Sequence, residues 1–464
     1  SRGVRNRTIV SLDAHLDLQY VRPERIDALR RCSSHDEVAA REKAHHLLPD
    51  DGTSFGIEDF LYPASRLGVI GHLVWVVPPH VEAGTSPLAL MQLTQTPGVT
   101  PEDLQSFRRR TDGVIDGEVL GLRITVCRLV DLKNIDLPDD VLVDVDTDYF
   151  VEVPRDRAWI EPGAVVEALK AVAPSPEMLS LARSVSSGFM PLGYRHLADH
   201  LAALWSGAAS AEVQHHESLG RLTALLGDGR REEAREGCRQ EIERSGRRAA
   251  TLYLAALAAD DPAGAADLQA EAADLDPGYA PDPLRSACGL ANRRRQVRLT
   301  DVMTHEKRLE NETDGGRQAL GHLAVGQLYC LLGRVEAAEA AYARAHAVLG
   351  PNPYLGLDLG NLMMKTARHR DRAASYLEAA LEADKTIASA RVLLGKHRGQ
   401  RGAFDEAVTH LEAARELLPA DPEAPALLAR IAHARRDRES RAAFVAEHDA
   451  KRDALDRLAR NLEC

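Results

Sequence analysis

The sequence predicts an α/β unit with a mainly parallel sheet and flanking helices, followed by an all-α solenoid. Three observations carry this. Over the first two hundred residues short β-branched runs alternate with helical patterns, which argues a parallel sheet covered by helices. From about Ser210 the texture changes to alanine, leucine, arginine and glutamate, the mark of consecutive helices. Within that second part, small and aromatic residues recur at a steady period. At 464 residues the chain exceeds one ordinary domain, and the texture divides it at 1–208 and 209–464. Strands are expected over 8–12, 72–77, 122–129, 141–145 and 178–182. Helices are expected between them over 57–67, 101–110, 164–173 and 192–205.

Composition narrows the class. With 44% hydrophobic residues there is material for substantial cores. No run approaches the roughly 18 apolar residues of a membrane span, and the start lacks the apolar stretch of a signal peptide. The formal net charge of -12 disfavours nonspecific nucleic-acid binding and is compatible with cationic substrates. Cys32, Cys127, Cys238, Cys288, Cys330 and Cys464 form no Cys-x-x-Cys pair and read as reduced thiols of a cytoplasmic protein.

Two segments carry chemistry. In Ser11-Leu12-Asp13-Ala14-His15-Leu16-Asp17 and Val143-Asp144-Val145-Asp146-Thr147-Asp148, an apolar strand runs into acidic or imidazole groups at every second position. Alternate side chains of a strand share a face, so Asp13, His15 and Asp17 are expected to converge, as are Asp144, Asp146 and Asp148. So many carboxylates resist joint burial unless a multivalent cation neutralises them. A lone Asp-x-Asp often only caps a following helix; the two segments together point to a metal site, with donors enough for two ions. Carboxylates with one nitrogen suit a hard or borderline divalent ion such as Mn²⁺.

These motifs resemble the ureohydrolase (arginase) superfamily, whose members hold two Mn²⁺ ions with such residues. Together with Asp59-Phe60-Leu61-Tyr62-Pro63-Ala64, Leu73-Val74-Trp75-Val76-Val77-Pro78-Pro79 and Ser184-Val185-Ser186-Ser187-Gly188-Phe189, they resemble the peptide arginase family over residues 8–205. The resemblance implies an arginase-like fold and hydrolysis of arginine side chains in a ribosomally made precursor peptide to ornithine and urea. It implies metal ligands among Asp13, His15, Asp17, Asp144, Asp146 and Asp148, with Asp146 common to both ways of pairing the last three. Ureohydrolases usually have a further histidine ligand upstream; only Ser1 to Leu12 precede the motif, so an upstream piece or another histidine must supply it. The guanidinium-binding glutamate of arginases has no match either, because the corresponding strand runs into Ser184 and Ser186, which become substrate-contact candidates.

Hydrolysis of a guanidinium needs activated water and a proton donor to the leaving nitrogen. His35, His45 and His46 follow the first motif; His35 is the catalytic candidate, against the alternative of a solvated histidine. Glu58 and Asp59 are candidates for gripping the guanidinium and Glu58 for catalysis; opening the helix predicted over 57–67, they could instead simply complement its dipole.

The second part resembles tetratricopeptide arrays, whose period is about 34 residues. The pattern falls on Gly326, Tyr342 and Ala345, then Gly360, Tyr376 and Ala379, then Gly395, Ala407 and Ala414. More degenerate repeats are expected over 219–277 and a terminal hairpin or cap over 426–462. Such arrays form concave surfaces that bind peptides, so recruitment of a precursor peptide is the natural role; packing against the enzyme or homo-oligomer formation is the other. A small-molecule amidinohydrolase or deacylase, and a non-enzymatic scaffold, are the competing functional classes.

Overall fold

The computed structural model describes residues 5–48, 52–81, 90, 93–152, 155–292 and 297–463. Nine short strands are described: β1 (Arg7–Leu12), β2 (Ile70–Val76), β3 (Arg108–Arg109), β4 (Ile115–Val119), β5 (Leu122–Cys127), β6 (Leu142–Asp146), β7 (Val151–Glu152), β8 (Arg157–Ala158) and β9 (Met178–Ala182). Seven of them form one sheet in the order β3-β4-β5-β2-β1-β6-β9, and β7 pairs with β8. The five central and edge strands β5, β2, β1, β6 and β9 run parallel. β3 and β4 add an antiparallel edge that the sequence did not suggest, since only Ile115 and Val119 of β4 are buried and the strand lacks a long apolar run.

The sheet is covered on both faces, which is why its central strands are nearly continuous in apolar residues. On one face Val10, Leu12, Val74, Val143 and Val145 pack against the helices Pro162–Val172 and His196–Ser206. On the other, Ile9, Leu73, Trp75 and Ile124 pack with Leu61, Tyr62 and Leu104, and with Leu458 and Leu462 from the far end of the chain. The same alternation places Asp13, Asp144 and Asp146 on the Trp75 face.

The predicted helix over 57–67 is shorter than expected: it spans Leu61–Arg66, so Glu58 and Asp59 lie in the turn before it and do not open it. The Asp59 carboxylate accepts the Gly56 backbone N–H at 2.7 Å and holds that turn. The expected helix over 101–110 ends at Ser106, where the chain passes into β3.

From Ser210 onward the described residues are helical hairpins joined by short turns. The predicted small positions are where paired helices approach most closely. A Cβ at Gly326 would run into the Tyr342 ring, one at Gly360 into Leu377, and one at Gly395 into Leu411. The array does not stand apart. Its last helix, Arg438–Glu463, returns to the sheet, where Arg109 donates to the Leu462 carbonyl at 2.6 Å and Asn461 to that of Phe107 at 3.3 Å. Near its middle, Asn352 donates to the Leu47 carbonyl at 2.9 Å, and Leu47 itself is buried among array residues. No helix among the described residues is long and apolar enough to cross a membrane. Cys32, Cys127, Cys238, Cys288 and Cys330 are free thiols; Cys464 lies outside the described residues.

Candidate metal centre

The chain forms β1, then β2 on one side of it, and later β6 on the other, so a crevice opens beyond the carboxyl ends of β1 and β6. The register pairs Leu12 with Val145, which sets Asp13 beside Asp146 as both strands end. Beyond that point strand periodicity stops and turns take over. Asp17 has a left-handed backbone (φ 46°), which folds its side chain back towards Asp13. Asp148 arrives through the 3₁₀ turn Thr147–Phe150, its N–H donating to Asp146 Oδ1 at 2.9 Å. Asp148 Oδ1 accepts the Ala14 N–H at 3.2 Å, and its Oδ2 lies 2.8 Å from His15 Nδ1. Asp13 accepts the His15 N–H at 2.6 Å. Ser184, also left-handed (φ 43°), donates its hydroxyl to Asp146 Oδ2.

One ligand atom each from Asp13, His15 and Asp148 lies within 4.8 Å of the others. Burial and the charges of Asp148 and Asp146 push the Asp13 carboxyl well above the usual range. Burial and Asp13 do the same to Asp17, and burial and Asp148 to Asp146. Burial opposes the charge on His15, but the Asp148 hydrogen bond and the surrounding carboxylates override it and raise the imidazole to about 9. The cluster thus has four carboxylates and one imidazolium, a surplus of negative charge that protons relieve in part. A divalent cation relieves it without protonation, and the oxygen-rich donor set with one imidazole fits such an ion.

Several expectations need correction. Asp144 does not join the cluster: it sits one strand period back, paired in register with Ser180, whose hydroxyl it accepts. Burial raises its pKa, without any contribution from the other aspartates. His35 lies on a short surface helix with its side chain fully exposed, outside the crevice. Ser186 is exposed and does not line it, whereas Ser184 does. Asp59 is buried against Arg25 at 3.6 Å, and burial raises its pKa to about 6. Glu58 does line the crevice; its Oε1 accepts from Lys43 Nζ at 2.8 Å, while Oε2 is buried without a hydrogen-bond partner. His45 and His46 stack on each other at 4.5 Å, and Phe189 lies between His46 and His15 at 5.5 and 5.0 Å.

Three contributors were not anticipated. Trp75 donates its indole N–H to the Asp13 carbonyl at 3.0 Å, a long-range contact that no local spacing announces. His80, just past β2, lies within the field of Asp148 and Glu152, although burial is the larger influence and lowers its pKa. The third is the helical array. The crevice widens into a cavity of about 740 Å³ whose lining includes Asp17, Asp146 and Asp148 and, from the array, Tyr354, Leu357 and Leu418. Among the described residues Asp17, Glu58, Asp146, Asp148 and Asp384 line it, and no lysine or arginine does.

No family model and no curated protein matches the chain. Among solved structures it is similar to that titled "Crystal structure of MamA", at 15% identity and a TM-score of 0.31, over 35% of this chain and 94% of that one. A second similarity is to the "Crystal structure of APC/C hetero-tetramer Cut9-Hcn1", at 13% identity and a TM-score of 0.28, over 64% of this chain and 55% of that one.

Proposed function

We propose that the protein is a divalent-metal-dependent hydrolase of a peptidyl arginine guanidinium, releasing urea and leaving ornithine. The supporting observation is the cluster of buried Asp13, Asp146 and Asp148 with half-buried Asp17 and exposed His15, beside a cavity lined by carboxylates and by no lysine or arginine among the described residues. A guanidinium finds matching charge there. The α-carboxylate of free arginine would find no cationic side chain, whereas inside a peptide that group is a neutral amide.

Asp13, His15, Asp17, Asp146 and Asp148 would hold the ions, Mn²⁺ being the natural pair. Bound ions supply Lewis acidity and make water acidic enough to attack near neutral pH. The protein's own groups do the rest. Trp75 and Ser184 fix Asp13 and Asp146, so the carboxylates need not reorganise. Glu58 lines the cavity beside Lys43 and contributes its negative charge to holding the guanidinium. Water adds to the guanidinium carbon, the C–N bond to the side chain breaks, and the leaving amine takes a proton.

The test is mass spectrometry of internal-arginine peptides incubated with Mn²⁺-loaded protein. A loss of about 42 Da per arginine, the formula difference to ornithine for hydrolysis of this kind, is expected together with urea. Asp146→Asn should abolish both, along with the thermal stabilisation that Mn²⁺ gives. Absence of any mass loss from protein carrying stoichiometric metal would overturn the assignment.

A further inference from the structure

The helical array supplies part of the cavity lining, in which several apolar side chains accompany Asp384, Thr386 and Ser389. Tyr354 and Leu357 come from the first helix of one hairpin, Pro353–Met364. Ile387 and Ser389 come from the start of the next hairpin, and Leu418 from the turn that ends it. The same cavity is lined by Leu16, Tyr20 and Ile57 of the sheet unit. Tyr354 is 44% exposed and Ile57 42% exposed, so two large apolar groups face the opening instead of a core.

This part of the lining is fixed to the sheet unit. The Gly98 N–H donates to the Leu417 carbonyl at 2.9 Å, the Ala420 N–H to that of Val99 at 3.1 Å, and Gln95 to Asp421 at 2.8 Å. Asp384 holds the turn before Ile387 by accepting both the N–H and the hydroxyl of Thr386, at 2.8 and 2.6 Å. Side chains held this way lose little freedom on binding.

Resting on the guanidinium reading above, we infer that Tyr354, Leu357, Ile387 and Leu418 form a subsite for an apolar side chain adjacent to the arginine of an extended peptide. Three features commit the site to that occupant. The volume of about 740 Å³ is in the upper part of the roughly 300–1,000 Å³ range of sites that enclose drug-sized ligands, room for more than one residue. The carboxylates Asp17, Asp146 and Asp148 and the apolar side chains of Leu357, Ile387 and Leu418 line one continuous cavity, so a single extended ligand reaches both. The absence of lysine and arginine from the described lining disfavours an acidic neighbour.

The experiment uses the full, Mn²⁺-loaded chain and two capped peptides that differ only in having leucine or glycine beside the arginine. The leucine peptide is expected to have at least tenfold higher kcat/KM, within the range one apolar side chain commands. Tyr354→Ser should collapse that ratio to below threefold. Ser389→Trp, at an exposed lining position, should fill the subsite and invert the preference; it guards against misfolding of the first variant. Fluorescein-labelled versions with lysine in place of arginine read the same ratio as Kd, without hydrolysis. Equal values for the two flanking residues in both assays would overturn the subsite while leaving the hydrolase reading intact. A Kd ratio that Tyr354→Ser collapses, in a protein that hydrolyses neither peptide, would support the subsite and remove the hydrolase reading.

Discussion

The indole N–H of Trp75 donates to the main-chain carbonyl of Asp13 at 3.0 Å, so the strand next to β1 holds the first carboxylate of the cluster by its backbone. Both residues are about 2% exposed. Trp75→Phe should leave a buried carbonyl unsatisfied and cost about 1–3 kcal/mol of stability. It should also weaken Mn²⁺ binding, measured by calorimetric titration. An unchanged metal affinity would reduce Trp75 to a packing residue.

Glu58 gives a second prediction. Its carboxylate is shared between Lys43 and the cavity. Glu58→Gln retains the shape but not the charge, so KM for arginine peptides should rise about tenfold or more, the scale of one charge-assisted hydrogen bond worth about 1.5–3 kcal/mol. Steady-state kinetics read this directly. If KM is unmoved, Glu58 serves only as the partner of Lys43.

A third prediction concerns acid stability. His196, His200 and His216 are buried together where the helix His196–Ser206 meets Ser210–Gly227, with His200 and His216 stacked at 5.6 Å. Burial and the neighbouring imidazoles hold His196 at about 3 and His200 at about 4. The groups facing them are Thr223, His215 with Glu241, and, around His216, Asp199, Glu212 and Arg248. In the unfolded chain an imidazole binds its proton near 6.5, so between about 6.5 and 4 the unfolded state binds more protons than the native one. Stability should therefore fall as pH drops through that window. Urea denaturation at pH 7.5 and 5.0 should show the loss, and His200→Leu should shrink it.

The acidic cluster was legible because strand periodicity and an excess of negative charge coincide in two short segments. The choice among Asp144, Asp146 and Asp148 was not. Periodicity correctly puts Asp144 and Asp146 on one face, but Asp148 reaches the cluster through a turn, and Asp144 is satisfied by Ser180 one step further back. His35 illustrates a different limit, since proximity in sequence to a ligand motif says nothing about which way a surface helix faces. Tyr354 and Leu418 line the same cavity as Asp17 across more than three hundred residues, a relationship only the tertiary fold creates. The tetratricopeptide-like spacing at Gly326, Gly360 and Gly395 announced the hairpins, not the surface they would face.

A fourth prediction tests the returning helix. Leu458 is fully buried and Leu462 nearly so among the side chains of the sheet's Trp75 face. Leu458→Ala should cost about 2–5 kcal/mol. Limited proteolysis of the variant should open the sheet unit as readily as the helical array. Selective digestion of the array alone would mean that the helix merely rests on the sheet.

The contact between Arg109 and Leu462 joins residues 353 positions apart. During synthesis the sheet can gather its strands early and cover most of both faces with neighbouring segments such as those of Leu61, Tyr62 and Leu104, yet the patch that meets Leu458 and Leu462 stays open until the returning helix has left the ribosome. At about 5–20 residues per second that interval is roughly 20–70 s. Closing so long a loop slows the final step further, because its entropy is lost before the contacts form. Until then the apolar side chains that Leu458 and Leu462 will cover stay open to solvent on the nascent chain.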